Sequence, residues 1–293
     1  MNYIGLNQAV IPAQDARVSV MDHGLMYGIG LFETFRTYGG EPFLLERHVE
    51  RLAEGCKQLG IPYEYDYAAL RDWIGRVMEQ NGLTEAYIRY TVTAGEDILG
   101  LPAGDYRKPN QLLYIKALPP FPDRLYTEGK VLQLLALRRN TPEGPVRMKS
   151  LHYMNNILAK RELAGYASAA EGAEGLMLTG QDQIAEGIVS NVFWVQDKVL
   201  YTPDLNTGIL PGITREMVIE MAESAGIPVE EGLYSWEQLR AADEIFLTNS
   251  VQEVVPVKAV CSNDRRDRIG AGSCGPLTGE IIKLYRERTE SIK

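Results

Sequence analysis

Cysteine is scarce, with only Cys56, Cys261 and Cys274 among 293 residues. They lie far apart, show no metal-ligand spacing, and cannot all pair within one chain, so a disulfide framework and a zinc scaffold are excluded and no metal is expected. A reducing cytoplasm is the simplest setting. No stretch reaches the ~18 apolar residues of a membrane span. The opening MNYIGLNQAVIPAQDARVSV has neither a basic start followed by an apolar block nor a small-residue cleavage site, so no export or anchoring is expected. Long basic runs are also missing. Thirty Lys and Arg against thirty-nine Asp and Glu leave a formal net charge of −9, which argues against nucleic acid or a membrane surface as the main partner. Neither internal repeats nor low-complexity tracts occur, and small molecules are the better expectation.

What is present is an ordinary globular mixture, 45% hydrophobic and 24% charged, on a chain long enough for two domains at about 150 residues each. Three prolines in ALPPFPD at 117–123 fall between two strand-like runs, Leu112 to Leu118 and Val131 to Leu137, and suit a stiff connector. The division predicted is a domain over 1–118, a linker over 119–123 and a domain over 124–293. In the first, Phe43 to Leu45 reads as a strand, His48 to Leu59 and Tyr67 to Gln80 as helices, and Ala86 to Ala94 as an alternating strand. The second offers strands at Leu176 to Thr179, Val189 to Val195 and Lys198 to Tyr201, joined by short polar turns as in antiparallel sheet. Helices are predicted at Met154 to Ala167, with Met154, Ile157 and Leu158 at helical spacing, and at Thr214 to Ala225. Ser262 to Gly275, rich in Gly, Arg and Asp, reads as a loop. The class is α+β.

Five features carry chemistry. Leu210-Pro211-Gly212-Ile213-Thr214 precedes a helix that Thr214 is placed to cap, and a helix start with unpaired amides attracts phosphate; an ordinary capped helix fits the same letters. Thr248-Asn249-Ser250 offers more donors at a strand end, or simply a turn. Arg51 supplies a forked cation for a dianion, or a solvated helix face. Of ten lysines, Lys149 stands out between a strand region and a helix, where an amine beside other cations or partly desolvated becomes nucleophilic. Glu186 lies among Ile184, Ile188 and Val189, facing either the solvent side of a sheet or a partner within it.

Together these segments resemble the fold-type IV pyridoxal-phosphate enzymes, the class IV aminotransferase superfamily. The likeness runs nearly end to end: DHGLMYGIGLFETFR at 22–36, HVERL at 48–52, Lys149, EGIVSNVF at 186–193, LPGITRE at 210–216 and TNSVQEVVPV at 248–257. The resemblance implies the two-domain D-amino-acid aminotransferase-like fold, with a small N-terminal α/β domain and a larger, mainly antiparallel C-terminal one. It implies pyridoxal 5'-phosphate as cofactor, Lys149 as its Schiff-base lysine, and Glu186 against the pyridine nitrogen. Arg51, Ile213, Thr214, Asn249 and Ser250 would hold the phosphate, with Leu210 against the ring. It also implies a homodimer in which Tyr27 helps complete the partner's pocket.

Within the superfamily, Thr93-Ala94-Gly95-Glu96-Asp97 stands where D-amino-acid aminotransferases carry an Arg-x-His carboxylate trap, which disfavours that activity. Tyr87-Ile88-Arg89, Tyr27 and Phe32 match branched-chain aminotransferases, but Met154 stands where those enzymes place a tyrosine five residues after the lysine. The stretches 27–36 and 138–144, and Lys149 with Ser150, His152, Tyr153, Asn155 and Asn156, look most like the 4-amino-4-deoxychorismate lyases. That resemblance implies release of pyruvate and 4-aminobenzoate, a folate precursor step, with a branched-chain or other amino-acid aminotransferase as the alternative. Arg36 and Arg89 are the candidates for the substrate's carboxylates, since a dicarboxylate needs forked cations.

Overall fold

Side chains alternate along a strand, and over Gly30–Tyr38 this sends Leu31 and Phe35 into an apolar core while Phe32, Thr34 and Arg36 take the other face. That strand belongs to the first of two units in the computed structural model, which describes residues 1–262 and 265–291. The first unit comprises Met1–Pro119 and Met148–His152, with the described residues from Thr289; the second comprises Pro120–Arg147 and Tyr153–Arg288. The short segment around Lys149 thus packs with the first unit, although the sequence reading placed it within 124–293. Among the described residues no helix is long and apolar enough to cross a membrane.

The first unit is a six-stranded antiparallel sheet in the order Ala9–Pro12, Tyr3–Leu6, Asn110–Ala117, Ala86–Thr93, Gly30–Tyr38, Glu41–Pro42. Helices Leu45–Gln58 and Tyr67–Gln80 contribute Leu45, Val49, Leu52, Cys56, Trp73 and Val77 to its core. The expected strand at Phe43 to Leu45 is corrected. Pairing ends at Pro42, and Leu44 adopts a left-handed φ of 52° that turns the chain into the helix beginning at Leu45. Met148–His152 adds to the free edge of the Gly30–Tyr38 strand: Phe32 N–H donates to Lys149 C=O at 2.9 Å, and Leu151 N–H to Gly30 C=O at 3.0 Å.

The second unit holds a nine-stranded sheet, ordered Val229–Gly232, Val199–Pro203, Asn191–Gln196, Glu244–Asn249, Glu253–Ser262, Lys130–Leu134, Glu174–Leu178, Ile184–Gly187. The ninth strand, Arg265–Arg268, pairs beside Glu253–Ser262. Five pairings are antiparallel and three parallel, so the antiparallel expectation holds in the main. One parallel pair, Val199–Pro203 with Val229–Gly232, is bridged by helix Ile213–Ser224, the crossover that parallel strands require. The loop predicted over Ser262 to Gly275 is corrected where it can be seen, because Arg265–Arg268 is a strand; Asn263 and Asp264 lie outside the described residues.

Two helix readings also change. Helix Met154–Leu163 ends four residues early, and its apolar letters point outward: Met154, Ile157 and Leu158 are exposed, while Asn156, Ala159 and Leu163 are buried. Polar anchoring overrides the apolar spacing here, since Asn156 Nδ2 donates to Ile188 C=O at 2.6 Å and Asn155 Oδ1 accepts from Arg139 at 2.8 Å. The other helix begins at Ile213 with Gly212 as N-cap, so Thr214 sits in its first turn instead of capping it.

Candidate active site

In the second unit Glu186 is a buried carboxylate, and all of its strand Ile184–Gly187 is buried. The reading of Glu186 as a solvent-facing residue is thereby excluded. A carboxylate left alone inside a protein is costly, and Glu186 is not alone. Its Oε1 accepts from Arg139 Nε at 2.7 Å, and its Oε2 accepts from Leu210 N–H at 2.9 Å and Asn191 Nδ2 at 3.4 Å. Arg147 Nε stands 3.9 Å away. Burial, followed by the charge of Arg139, pulls Arg147 down to about 10. An ionised carboxylate has about four lone-pair positions, so three donors leave room for one more, such as a ring N–H.

Asn191 also donates from Nδ2 to Leu210 C=O at 3.0 Å. It therefore joins the Glu186 strand to the turn that leads into helix Ile213–Ser224. No side chain caps that helix, and its first-turn N–H groups form a ready anion seat. Around it, Thr214 Oγ1 and Ser250 Oγ are 3.2 Å apart. Among the described residues, Thr248 Oγ1 is buried without a hydrogen-bond partner. Asn249 Oδ1 accepts from Val251 and Gln252 N–H at 3.0 and 2.8 Å, so its oxygen shapes the turn and any contact to an anion falls to its other atoms. The Gly212 backbone is approached so closely that a Cβ there would lie 2.1 Å from Asn191 Oδ1. A capless helix start, an orphaned hydroxyl and this glycine fit a phosphate group.

In the first unit, Lys149 Nζ lies 4.7 Å from the centre of the Phe32 ring, and Arg89 Cζ lies 3.5 Å from it. Arg89 pairs across the strands with Thr34, so Arg89 and Arg36 share the Phe32 face as diagonal neighbours, about 7–8 Å apart at that spacing. Arg36 Cζ packs 4.4 Å over Tyr38. Tyr27 accepts from Gly100 N–H at its hydroxyl, and its carbonyl meets His152 Nε2 at 3.0 Å. Arg51 gives Nε to Glu33 Oε1 at 2.8 Å and Nη2 to Glu33 Oε2 at 2.6 Å, while His48 Nδ1 meets Oε2 at 2.7 Å. Burial opposes ionisation of Glu33, yet the charge of Arg51 and the bonds from His48 and Arg51 hold its carboxyl down to about 2. Burial pushes His48 down, and Lys149 is among the charges it feels.

Lys149, Phe32, Arg89 and Arg51 thus gather in one unit, and Glu186, Leu210, Ile213, Thr214, Asn249 and Ser250 in the other. Sequence reasoning missed Glu33, His48, Arg139, Arg147 and Asn191 as site residues. Glu33 carried a readable signal, a carboxylate between Leu31 and Phe35 on an apolar strand face. Arg139 carried none, because it reaches Glu186 from 47 residues away, whereas Asn191 lies five residues from Glu186 in the quoted 186–193 stretch. Among the described residues no three His, Cys, Asp or Glu side chains gather to hold a metal.

Comparison with known proteins identifies the family. The model of the amino-transferase class IV family matches residues 30–260. The chain is 39% identical over 292 residues to the aminodeoxychorismate lyase of Bacillus subtilis (strain 168), covering 99% of this chain and 95% of that one. The crystal structure of 4-amino-4-deoxychorismate lyase from Pseudomonas aeruginosa superposes with TM-score 0.82 at 33% identity, covering 97% and 98% of the two chains. The branched-chain amino acid aminotransferase of T.th., complexed with N-(5'-phosphopyridoxyl)-L-glutamate, gives TM-score 0.85 at 30% identity over 100% and 95%. The chain belongs to the class IV aminotransferases, enzymes of fold type IV that work with pyridoxal 5'-phosphate.

Proposed function

We propose that this enzyme is a 4-amino-4-deoxychorismate lyase, releasing pyruvate and 4-aminobenzoate. The observation that carries the reading is the pair of guanidiniums on one sheet face, Arg36 over Tyr38 and Arg89 sharing the Phe32 ring with Lys149. Two forked cations suit a substrate with two carboxylates, and the 39% identity to a lyase across 99% of the chain points the same way. Lys149 is the residue that joins the cofactor covalently, and Glu186 faces its pyridine nitrogen. Arg51, Ile213, Thr214, Asn249 and Ser250 bind the phosphate, and Leu210 lies against the ring. Tyr27 and Phe32 shape the substrate pocket.

Bound pyridoxal phosphate supplies an electron sink for the charge left behind when a carbon-bound proton departs. The chain's own groups do the rest. Glu186, fixed by Arg139, Asn191 and the Leu210 amide, stays oriented to accept a hydrogen bond from a protonated ring nitrogen. Lys149 Nζ takes the C4 proton of the substrate and returns a proton to the departing enolpyruvyl carbon. Arg36 and Arg89 keep the ring oriented while aromatisation drives the reaction.

A branched-chain aminotransferase is the second reading, favoured by the likeness to the branched-chain enzyme complexed with phosphopyridoxyl-glutamate and by Tyr87-Ile88-Arg89. The deciding experiment supplies aminodeoxychorismate and follows 4-aminobenzoate. Rapid release supports the lyase. No release, together with complete conversion of the cofactor to its amine form by an amino acid such as leucine, refutes it. The working form proposed is a cytoplasmic homodimer, which sedimentation would show as about twice the 32.7 kDa chain mass.

A further inference from the structure

Glu33 is 1% exposed, on the core face of its strand with Leu31 and Phe35 as neighbours. A hydrophobic residue there would stabilise the core as well or better, because a buried ion pair seldom beats good packing. What the pair provides is direction. The two parallel bonds from Arg51 Nε and Nη2 fix the plane of the guanidinium. The third donor is His48 Nδ1. A carboxylate only accepts, so His48 carries a proton on Nδ1, and burial pushes the ring below its usual value, which favours the neutral form and adds no further positive charge. The trio Glu33, His48 and Arg51 then sums to zero. An anion drawn to Arg51 is bound by aimed N–H groups more than by bulk charge. The trio is also close enough to Lys149 for His48 to feel its ammonium.

We infer that Glu33, supported by His48, is a positioning residue that aims the Arg51 guanidinium at the phosphate of the cofactor. This rests on the reading of Arg51 as a phosphate anchor and extends it to Glu33, which holds Arg51, and to His48, which holds Glu33.

Charge and aim predict opposite signs for one substitution. Glu33→Gln makes the neighbourhood one unit more positive while loosening the fork. If Arg51 acts as a point charge, phosphate affinity rises; if its aim matters, affinity falls. The measurement is titration of the cofactor-free protein with pyridoxal 5'-phosphate and, separately, with pyridoxal, which lacks the phosphate. The ratio of the two dissociation constants cancels general loosening of the fold.

Glu33→Gln should lower the preference for the phosphorylated ligand by about tenfold, as expected for one charge-assisted hydrogen bond of roughly 1.5 kcal/mol. Arg51→Lys should do the same, and the double variant should add little to either. An unchanged or increased preference in Glu33→Gln, with Arg51→Lys impaired, overturns the positioning role alone. An unchanged preference in Arg51→Lys overturns the phosphate-anchor reading beneath it. Should Glu33→Gln fail to fold, Glu33→Asp keeps the charge but draws it back by one methylene. The same fall in preference is then expected, and no fall refutes the inference.

Discussion

Gly212→Ala separates steric fit from backbone freedom at the helix start. Gly212 has φ −71°, which alanine adopts without strain, so any effect must come from the added methyl. That methyl would stand 2.1 Å from Asn191 Oδ1 and 3.3 Å from its Cγ. Asn191 is buried and has to move, and with it go its bonds to Leu210 C=O at 3.0 Å and Glu186 Oε2 at 3.4 Å. One neutral and one long charge-assisted bond together amount to roughly 2–4 kcal/mol when their buried partners are left unsatisfied. Urea unfolding of Gly212→Ala should therefore show a lower midpoint with unchanged slope, and the variant should release pyridoxal phosphate more readily on dialysis. Asn191→Ala removes the obstacle and the two bonds at once. Adding Gly212→Ala to it should then cost less than about 0.5 kcal/mol, as for a substitution that disturbs no contact, so the two losses do not add. If the two losses add in full, or if Gly212→Ala unfolds like the parent, the close approach is not what keeps glycine there.

The opposite outcome is expected at Gly75, exposed in the middle of helix Tyr67–Gln80, where an added Cβ meets nothing within 4 Å; Gly75→Ala should stabilise by about 1 kcal/mol in the same assay. Borohydride reduction of the reconstituted parent should leave a pyridoxyl label that survives denaturation, Lys149→Ala should carry none, and a label that persists would place the covalent link elsewhere. Acid stability should fall in two stages, followed by circular dichroism from pH 8 to 2. His48 and Glu33 both have folded values below their ordinary ones, so each contributes stability above its unfolded value that is lost as pH drops. The first loss starts as pH falls below the usual 6.5 of His48. The second runs from 4.5 toward about 2 for Glu33, and is on the order of 3 kcal/mol. Glu33→Gln should remove the second stage.

Helix Tyr67–Gln80 and strand Ala86–Thr93 were legible because their patterns are local: an apolar stripe at helical spacing, and alternation against Gly30–Tyr38 and Asn110–Ala117. The strand at 43–45 failed because a short apolar run has no period, and a left-handed residue at Leu44 decided the matter. Parallel pairing of Lys130–Leu134 with Glu174–Leu178 and with Glu253–Ser262 was beyond local pattern, since it joins segments far apart in sequence. At the site, Glu186 was found through its letters, but Arg139 and Asn191 were not, since only the fold brings strand and turn together. Met154, Ile157 and Leu158 marked the helix correctly by their spacing, yet they are exposed, because polar side chains anchor that helix.

The excursion of Met148–His152 onto the Gly30–Tyr38 strand bears on how the protein is made. As the ribosome releases the chain, everything up to the proline connector is available to fold, but one sheet border, with Phe32 N–H and Gly30 C=O on it, waits for residues some thirty positions later. Until they emerge, that border is an open template for another nascent chain. A fragment cut at the connector would keep the hazard permanently, and extending it with a detached strand spelling 148–152 is the remedy the architecture itself supplies.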